Sequence, residues 1–156
     1  MTGGARAAGW VYAAVLIWGC AEVRDAMPVA PLRIKDVPLR CEVAHTQDRR
    51  ARGYMHRREI PEGTGMLFLF SAPRYLVFHM ANTPVPLSIA FVDADGVIRQ
   101  IEDMQPYDLR TTQSAFAVPS AIEVPQGWFA RKGIGIGDRV EGIAEARRLY
   151  PPLEDM

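Results

Sequence analysis

The run Gly65-Met66-Leu67-Phe68-Leu69-Phe70 constrains this chain more than any other stretch. It is continuously apolar, of strand length, and therefore buried on both faces. Such a strand lies inside a sheet with a core on each side. Other strand-length segments surround it: Leu39 to Ala44, Tyr75 to Met80, Leu87 to Asp93, Val97 to Glu102, Ala115 to Val124 and Asp138 to Ile143. Ala94-Asp95-Gly96 supplies the positive-φ turn of a hairpin. Thr46 can cap a short helix, Gln47 to Arg52, that stops at Gly53, and Gln126 to Lys132 reads as a helical turn. The expected class is mainly β, an α+β domain with two short helices, built as a β-roll or partly open barrel.

At 156 residues the chain is the size of one domain. It carries 18 basic and 18 acidic residues, a formal net charge of zero. That balance disfavours nucleic acid as a partner. No fixed-period repeat is visible, which excludes solenoids and propellers.

Ala7 to Cys20 carries no charge, follows a single Arg6, and contains the apolar stretch Trp10 to Trp18. It is too short to cross a bilayer comfortably and has the pattern of a secretory signal. Ile17-Trp18-Gly19-Cys20 is similar to a lipobox, although Trp18 stands where small residues are usual. The expectation is a lipoprotein signal over 1–20 with Cys20 lipidated, placing the domain on the periplasmic side of the cell envelope. Its partners are then the membrane, through the lipid anchor, and a small ligand or envelope protein. Secretion with cleavage near Ala30, and an uncleaved anchor, stay open. Residues 21–36, with Pro28 and Pro31, read as a tether, 37–143 as the domain, and 144–156 as a tail of frayed helix and disorder. Cys41, left without an intramolecular partner, reads as a small buried hydrophobe.

Several landmarks fall in a recognisable order: Arg52-Gly53-Tyr54-Met55, Gly65-Met66-Leu67-Phe68, Phe78-His79-Met80-Ala81-Asn82-Thr83 with Pro86-Leu87, Phe91-Val92-Asp93 with Asp95-Gly96, Glu123-Val124-Pro125 with Gly127, and Gly133-Ile134 with Gly137-Asp138. This series resembles the bacterial and archaeal family called domain of unknown function 192, over most of residues 40–142. The resemblance implies a compact β-rich fold, frequently behind a signal peptide, with no agreed biochemical role. His79, Ala81 and Ser88 stand where the family commonly has Trp, Lys and Asp.

Strand alternation places Leu76, Phe78 and Met80 on one face and His79 on the other. It places Phe116, Val118, Ile122 and Val124 opposite Ala117, Pro119, Ala121 and Glu123. A Glu flanked by alanines leaves room for a ligand, and a buried carboxyl needs a partner or a raised pKa. The candidate ligand site is thus a polar cleft of His79, Asn82 and Glu123. The competing reading has Glu123 and Asn82 holding loop amides, with His79 replacing a packed aromatic. The leading function is a non-enzymatic binding or interaction module. The alternative is a small acid/base enzyme or hydrolase using Glu123 with His79.

No cofactor is implied: nucleophile elbow, dinucleotide fingerprint and phosphate loop are all absent. Met55, Met66 and Met80 with His45, His56, His79 and Cys41 would suit copper, but no ligand spacing supports a metal, and core packing explains the methionines. In Asp93-Ala94-Asp95-Gly96 the bidentate Glu of a calcium loop is replaced by Met104. Arg49, Arg50, Arg52, Arg57 and Arg58 with His56 read as a solvated basic face, with docking to lipid phosphates or an acidic surface as the alternative.

Overall fold

A computed structural model of the chain describes residues 26–154. The segment 1–20 expected to be a signal, and Cys20, expected to be lipidated, lie outside them.

A seven-stranded sheet carries the fold, in the order β6-β5-β8-β3-β2-β1-β9. Its strands are β1 (Val29–Ile34), β2 (Val37–Ala44), β3 (Thr64–Arg74), β5 (Leu87–Val92), β6 (Ile98–Met104), β8 (Val118–Pro125) and β9 (Val140–Glu141). A second sheet pairs only β4 (Val77–Phe78) with β7 (Thr112–Gln113). The helices are short: α1 (Gln47–Arg52), α2 (Trp128–Arg131) and α3 (Ile143–Leu149). β2 and β3 run parallel, and the other ladders of the large sheet are antiparallel. Twist curls the sheet until its two edges meet, where Val97 bridges Arg139 and Val140 N–H donates to Gly96 O at 2.7 Å. The expected partly open barrel is the architecture found, with three short helices instead of two.

Alternation along each strand gives the sheet two separate cores. Leu67 and Leu69 of β3, Ala90 and Val92 of β5, and Ile122 and Val124 of β8 fill the concave side, with Leu32, Ile98, Val140, Trp128, Phe129 and Ile143. Met66 and Phe68, Ile89 and Phe91, and Ala121 belong to the convex side, with Tyr54, Leu76 and Met80. The Gly65–Phe70 run is thus buried from both directions. Gly65 itself is there because β3 and β8 approach closely: a Cβ would sit 2.8 Å from the Glu123 carbonyl oxygen and 3.2 Å from Cys41 Sγ. Cys41 is fully buried, and burial first, with the Glu42 charge second, raises its thiol pKa well above the ordinary range.

Several boundaries differ from the sequence reading. The segment read as a tether contains β1, where Ala30, Leu32 and Ile34 point inward and their neighbours outward. Pro31 suggested a linker because it cannot donate to a ladder. It is tolerated because β1 meets β9 only at Arg33 and Ile34, so at Pro31 one side of the strand is an open edge. The tail is also docked: Ile143 and Ala146 of α3 are buried, and Arg147 donates to Phe70 O and Pro119 O at 2.6 and 3.0 Å. Beyond α3, Leu153 N–H donates to His45 O at 2.8 Å. Most of Tyr75 to Met80 belongs to no strand, although Leu76 and Met80 are buried as alternation predicts. Phe116 is 44% exposed under Arg99, not in the core, because β8 begins only at Val118. Val118 itself joins the convex core, away from Ile122 and Val124, where the β3–β8 register shifts between Leu69 and Arg74.

Thr46 does cap α1, accepting from Arg49 N–H at 3.3 Å, and Gly53 ends the helix at φ +45 and ψ −129. The Asp93–Gly96 turn is the expected hairpin turn, closed by Asp93 Oδ1 accepting from the N–H groups of Asp95 and Val97.

Candidate functional site

Glu123 sits in the middle of β8 on the convex face. Met66 of β3 and Ile89 of β5 stand directly beside it on the neighbouring strands. An ionisable side chain between two apolar strand positions loses its water, and Glu123 is only 5% exposed. Burial alone pushes its carboxyl up to about 8; no hydrogen bond or neighbouring charge offsets it. The carboxyl is therefore protonated at neutral pH and offers an O–H donor. Loop amides do not take it up, so the reading in which Glu123 braces a loop fails.

What faces the carboxyl is a cavity of about 310 Å³. Gly53 stands over it, and its missing side chain leaves the space open: a Cβ would lie 4.0 Å from Glu123 Oε2 and 3.5 Å from Phe68 Cζ. Tyr54, Phe68 and Phe78 give an apolar wall. Phe78 stands edge-on to Phe68 at 5.0 Å between centroids, held there by the small β4–β7 sheet. The Tyr54 hydroxyl has its pKa raised, by burial first and then by the acidic groups of Cys41, Glu123 and Glu42, which would be ionised before it, so it stays neutral.

His79 and Glu123 both line this cavity; Asn82 does not. Asn82 adopts φ +56 in the following loop, its carbonyl accepting from His56 N–H at 2.8 Å, and its side chain is exposed. Asn82 drops out as a cleft residue, because the turn that positions Thr83 against the cavity points Asn82 away. His79 is exposed and not packed like an aromatic; its Nδ1 accepts from Ala81 N–H at 3.3 Å, so the neutral ring carries its proton on Nε2. Ser88 lies elsewhere, its Oγ donating to Asp103 and accepting from Gly127 N–H at 2.8 Å.

Sequence reasoning missed the charged side of the site. Arg50, Arg74 and Glu154 line the same cavity, and both guanidiniums lie against the Phe70 ring. Arg50 is not the solvated surface cation expected of the basic run: its side chain is 8% exposed. Arg57 is also engaged, in a bidentate pair with Glu42 at 2.9 and 2.6 Å. Nothing in the spacing could have joined Arg50 to Glu154, 104 residues apart. A larger concavity of about 790 Å³, around Arg49, Arg52 and Arg57, is lined by no buried carboxyl. Among the described residues no cluster of His, Cys, Asp and Glu could hold a metal ion.

A curled β-sheet with a side-chain-lined cavity over its convex face, walled by aromatic rings and floored by Glu123, defines a small β-barrel-like domain. The chain belongs to the DUF192 family (Uncharacterized ACR), whose profile matches residues 30–142. It is similar to a crystal structure of a proposed transcription regulator from Sinorhizobium meliloti 1021, at 31% identity and TM-score 0.73, over 76% of this chain and 96% of that one. It is similar as well to a protein of unknown function from Novosphingobium aromaticivorans DSM 12444, at 32% identity and TM-score 0.72, over 76% of this chain and 89% of that one. No curated protein matches it.

Proposed function

We propose that this domain is a non-enzymatic small-ligand binding module of the cell envelope, and that its ligand rests a hydrogen-bond acceptor on the protonated Glu123. One observation carries the reading: a buried carboxyl without a protein partner faces a cavity of about 310 Å³. Its O–H has no acceptor in the protein, and a bound carbonyl or ether oxygen would supply one. The apolar wall of Tyr54, Phe68 and Phe78 supplies affinity, and Glu123 sets orientation. A balanced charge of 18 against 18 favours a small ligand over nucleic acid. The test is native mass spectrometry of the full chain purified from its own host, beside Glu123→Leu and Glu123→Gln. A specific adduct on wild type that Glu123→Leu loses and Glu123→Gln, still a donor, keeps supports the reading. An adduct indifferent to Glu123→Leu, or no adduct, refutes it.

Export and anchoring are part of the same proposal and rest on the sequence: the charge-free Ala7–Cys20 segment and the Ile17–Cys20 ending. A multiply acylated Cys20 would hold the domain firmly at a membrane, since each buried methylene adds about 0.8 kcal/mol. Labelling with a radioactive fatty acid, absent in Cys20→Ser, is the expected result. Label that persists in the variant rules out lipidation at Cys20.

A second reading, an acid/base enzyme, draws on His79 lining the cavity with Glu123. It requires that the adduct found on wild type be chemically altered over time, and that His79→Gln stop the change without abolishing binding.

A further inference from the structure

The cavity is lined by a second buried O–H group besides Glu123. Tyr54 follows Gly53, the residue that stands over the carboxyl, and packs with Met66 and Phe68 in the convex core. Its ring is held from one face: Arg57 Cζ lies 5.3 Å from the ring centroid, and Glu42 fixes that guanidinium at 2.9 and 2.6 Å. Tyr54 and Glu123 are 4% and 5% exposed, and no described residue bonds to the oxygens of either side chain. Among the described residues, Trp128 Nε1 is the one sealed side-chain polar atom without a partner. The Tyr54 and Glu123 oxygens lack partners too, so each reaches open space, and the cavity is the space that both residues line. Tyr54 also borders a concavity of about 270 Å³ beside Arg57 and Ile60, which Glu123 does not reach.

Burial first, and then the acidic groups of Cys41 and Glu123 beside it, keep the Tyr54 hydroxyl protonated. Two neutral donors thus sit near one another without bonding to each other, each free to donate to an oxygen from outside. Fixed donors in a water-poor site favour an oxygen that carries charge, because O–H···O⁻ bonds are about twice as strong as neutral ones and preformed dipoles need no rearrangement. A protonated carboxyl near a tyrosine hydroxyl is a donor pair of the kind that holds an enolate or phenolate. A charge spread over a ring also suits this apolar wall better than a compact carboxylate does. Phe68 and Phe78, edge to face at 5.0 Å, offer that ring an aromatic surface.

We infer that Tyr54 and Glu123 together form a two-donor oxyanion site, and that the ligand is a flat phenol or enol held as its anion with both hydroxyl groups donating to its oxygen. This deepens the proposed binding function and rests on it: the acceptor placed on Glu123 becomes a charged oxygen shared with Tyr54. On binding, the O–H bond of the ligand breaks and its proton goes to water, while both protein protons stay in place.

The experiment is titration of the full chain into 4-nitrophenol below the probe's own pKa, read by the visible absorbance of the phenolate. The neutral control is 4-nitroanisole, whose oxygen carries a methyl group in place of the proton, read by calorimetry. Thermal unfolding checks that each variant is folded. The phenolate band grows as wild type is added, which tests the site without any substitution. Tyr54→Phe keeps the ring and weakens the phenol about tenfold, the loss of one hydrogen bond to a charged oxygen, and the anisole at most about twofold. Glu123→Leu weakens both probes. Binding without a phenolate band, equal losses of phenol and anisole in Tyr54→Phe, or no binding of either probe at millimolar concentration overturns the oxyanion site. If Glu123→Leu weakens both probes while Tyr54→Phe changes neither, the binding cavity stands and the oxyanion site falls. If Tyr54→Phe weakens the phenol while Glu123→Leu changes neither probe, the role of Glu123 falls and the two-donor site with it.

Discussion

The two faces of the curled sheet are built from the same strands and treated differently. On the concave side the strands, α2 and α3 fill the space with Leu, Ile, Val and two aromatic residues, and the polar atoms buried there include the unionised Cys41 thiol and the Trp128 indole N–H, which has no partner. On the convex side the cover comes from the α1 connection and the small β4–β7 sheet, and it leaves a cavity with Glu123 on its floor. Adjacent residues of one strand feed the two: Ile122 and Val124 look into the filled core, Glu123 into the open one. The filled core and the cavity are thereby separated by a single alternation of the pleat. A face packed to completion holds the frame, and the face left incomplete holds the cavity.

Truncations test that division most directly. Leu67→Ala, on the filled side, should cost about 3–4 kcal/mol, because the surrounding side chains cannot close over the void. Phe78→Ala, half-buried at the cavity rim, should cost roughly 1–2 kcal/mol, since its site already borders empty space. Urea unfolding of both measures the contrast, and equal losses would break it. The next effect concerns protons. The folded-state pKa of Glu123 is raised, from 4.5 to about 8, so the native state holds a proton that the unfolded state releases between those values. Stability should accordingly fall as pH rises through that window, by at most roughly 5 kcal/mol, and the loss is complete above the folded pKa. Glu123→Gln should flatten the profile and be the more stable protein at pH 8; a wild type without the slope would show that the carboxyl is solvated. Gly53→Ala should destabilise by about 1–2 kcal/mol, because φ +45 with ψ −129 is poorly accessible to alanine, and should also narrow the space over Glu123. Thr46→Ala, which removes only the cap of α1, should cost about 1 kcal/mol in the same unfolding assay and leave ligand binding unchanged.

Local chemistry was the legible part of the sequence. The Thr46 cap, the Gly53 stop, the Asp95-Gly96 turn and the doubly buried run at Gly65–Phe70 each declare themselves within a few residues. Glu123 was legible too, as a carboxylate in a strand with small same-face neighbours. β1 was not, because Pro31 conceals its alternation, and whether Pro is tolerated depends on which side of the strand is unpaired. Arg50, Arg74 and Glu154 were invisible for another reason. Their meeting depends on α3 docking and on where the chain goes after Pro152, and no periodicity encodes either. The cleft reading erred at Asn82 because a positive φ turns a residue away from the face its neighbours share.

The parallel pairing of β2 with β3 has one more consequence. Parallel neighbours cannot be joined by a tight turn, so the chain must travel from one end of β2 back to the start of β3 through residues 45–63. That passage carries α1, Gly53 and Tyr54, and forms one wall of the cavity while adding only Tyr54 and Ile60 to a core. Residues 45–63 thus span two fixed strands of the sheet and are tied back to it by Arg50 on Leu69 O and Arg57 on Glu42, so one connection both bridges the strands and walls the cavity.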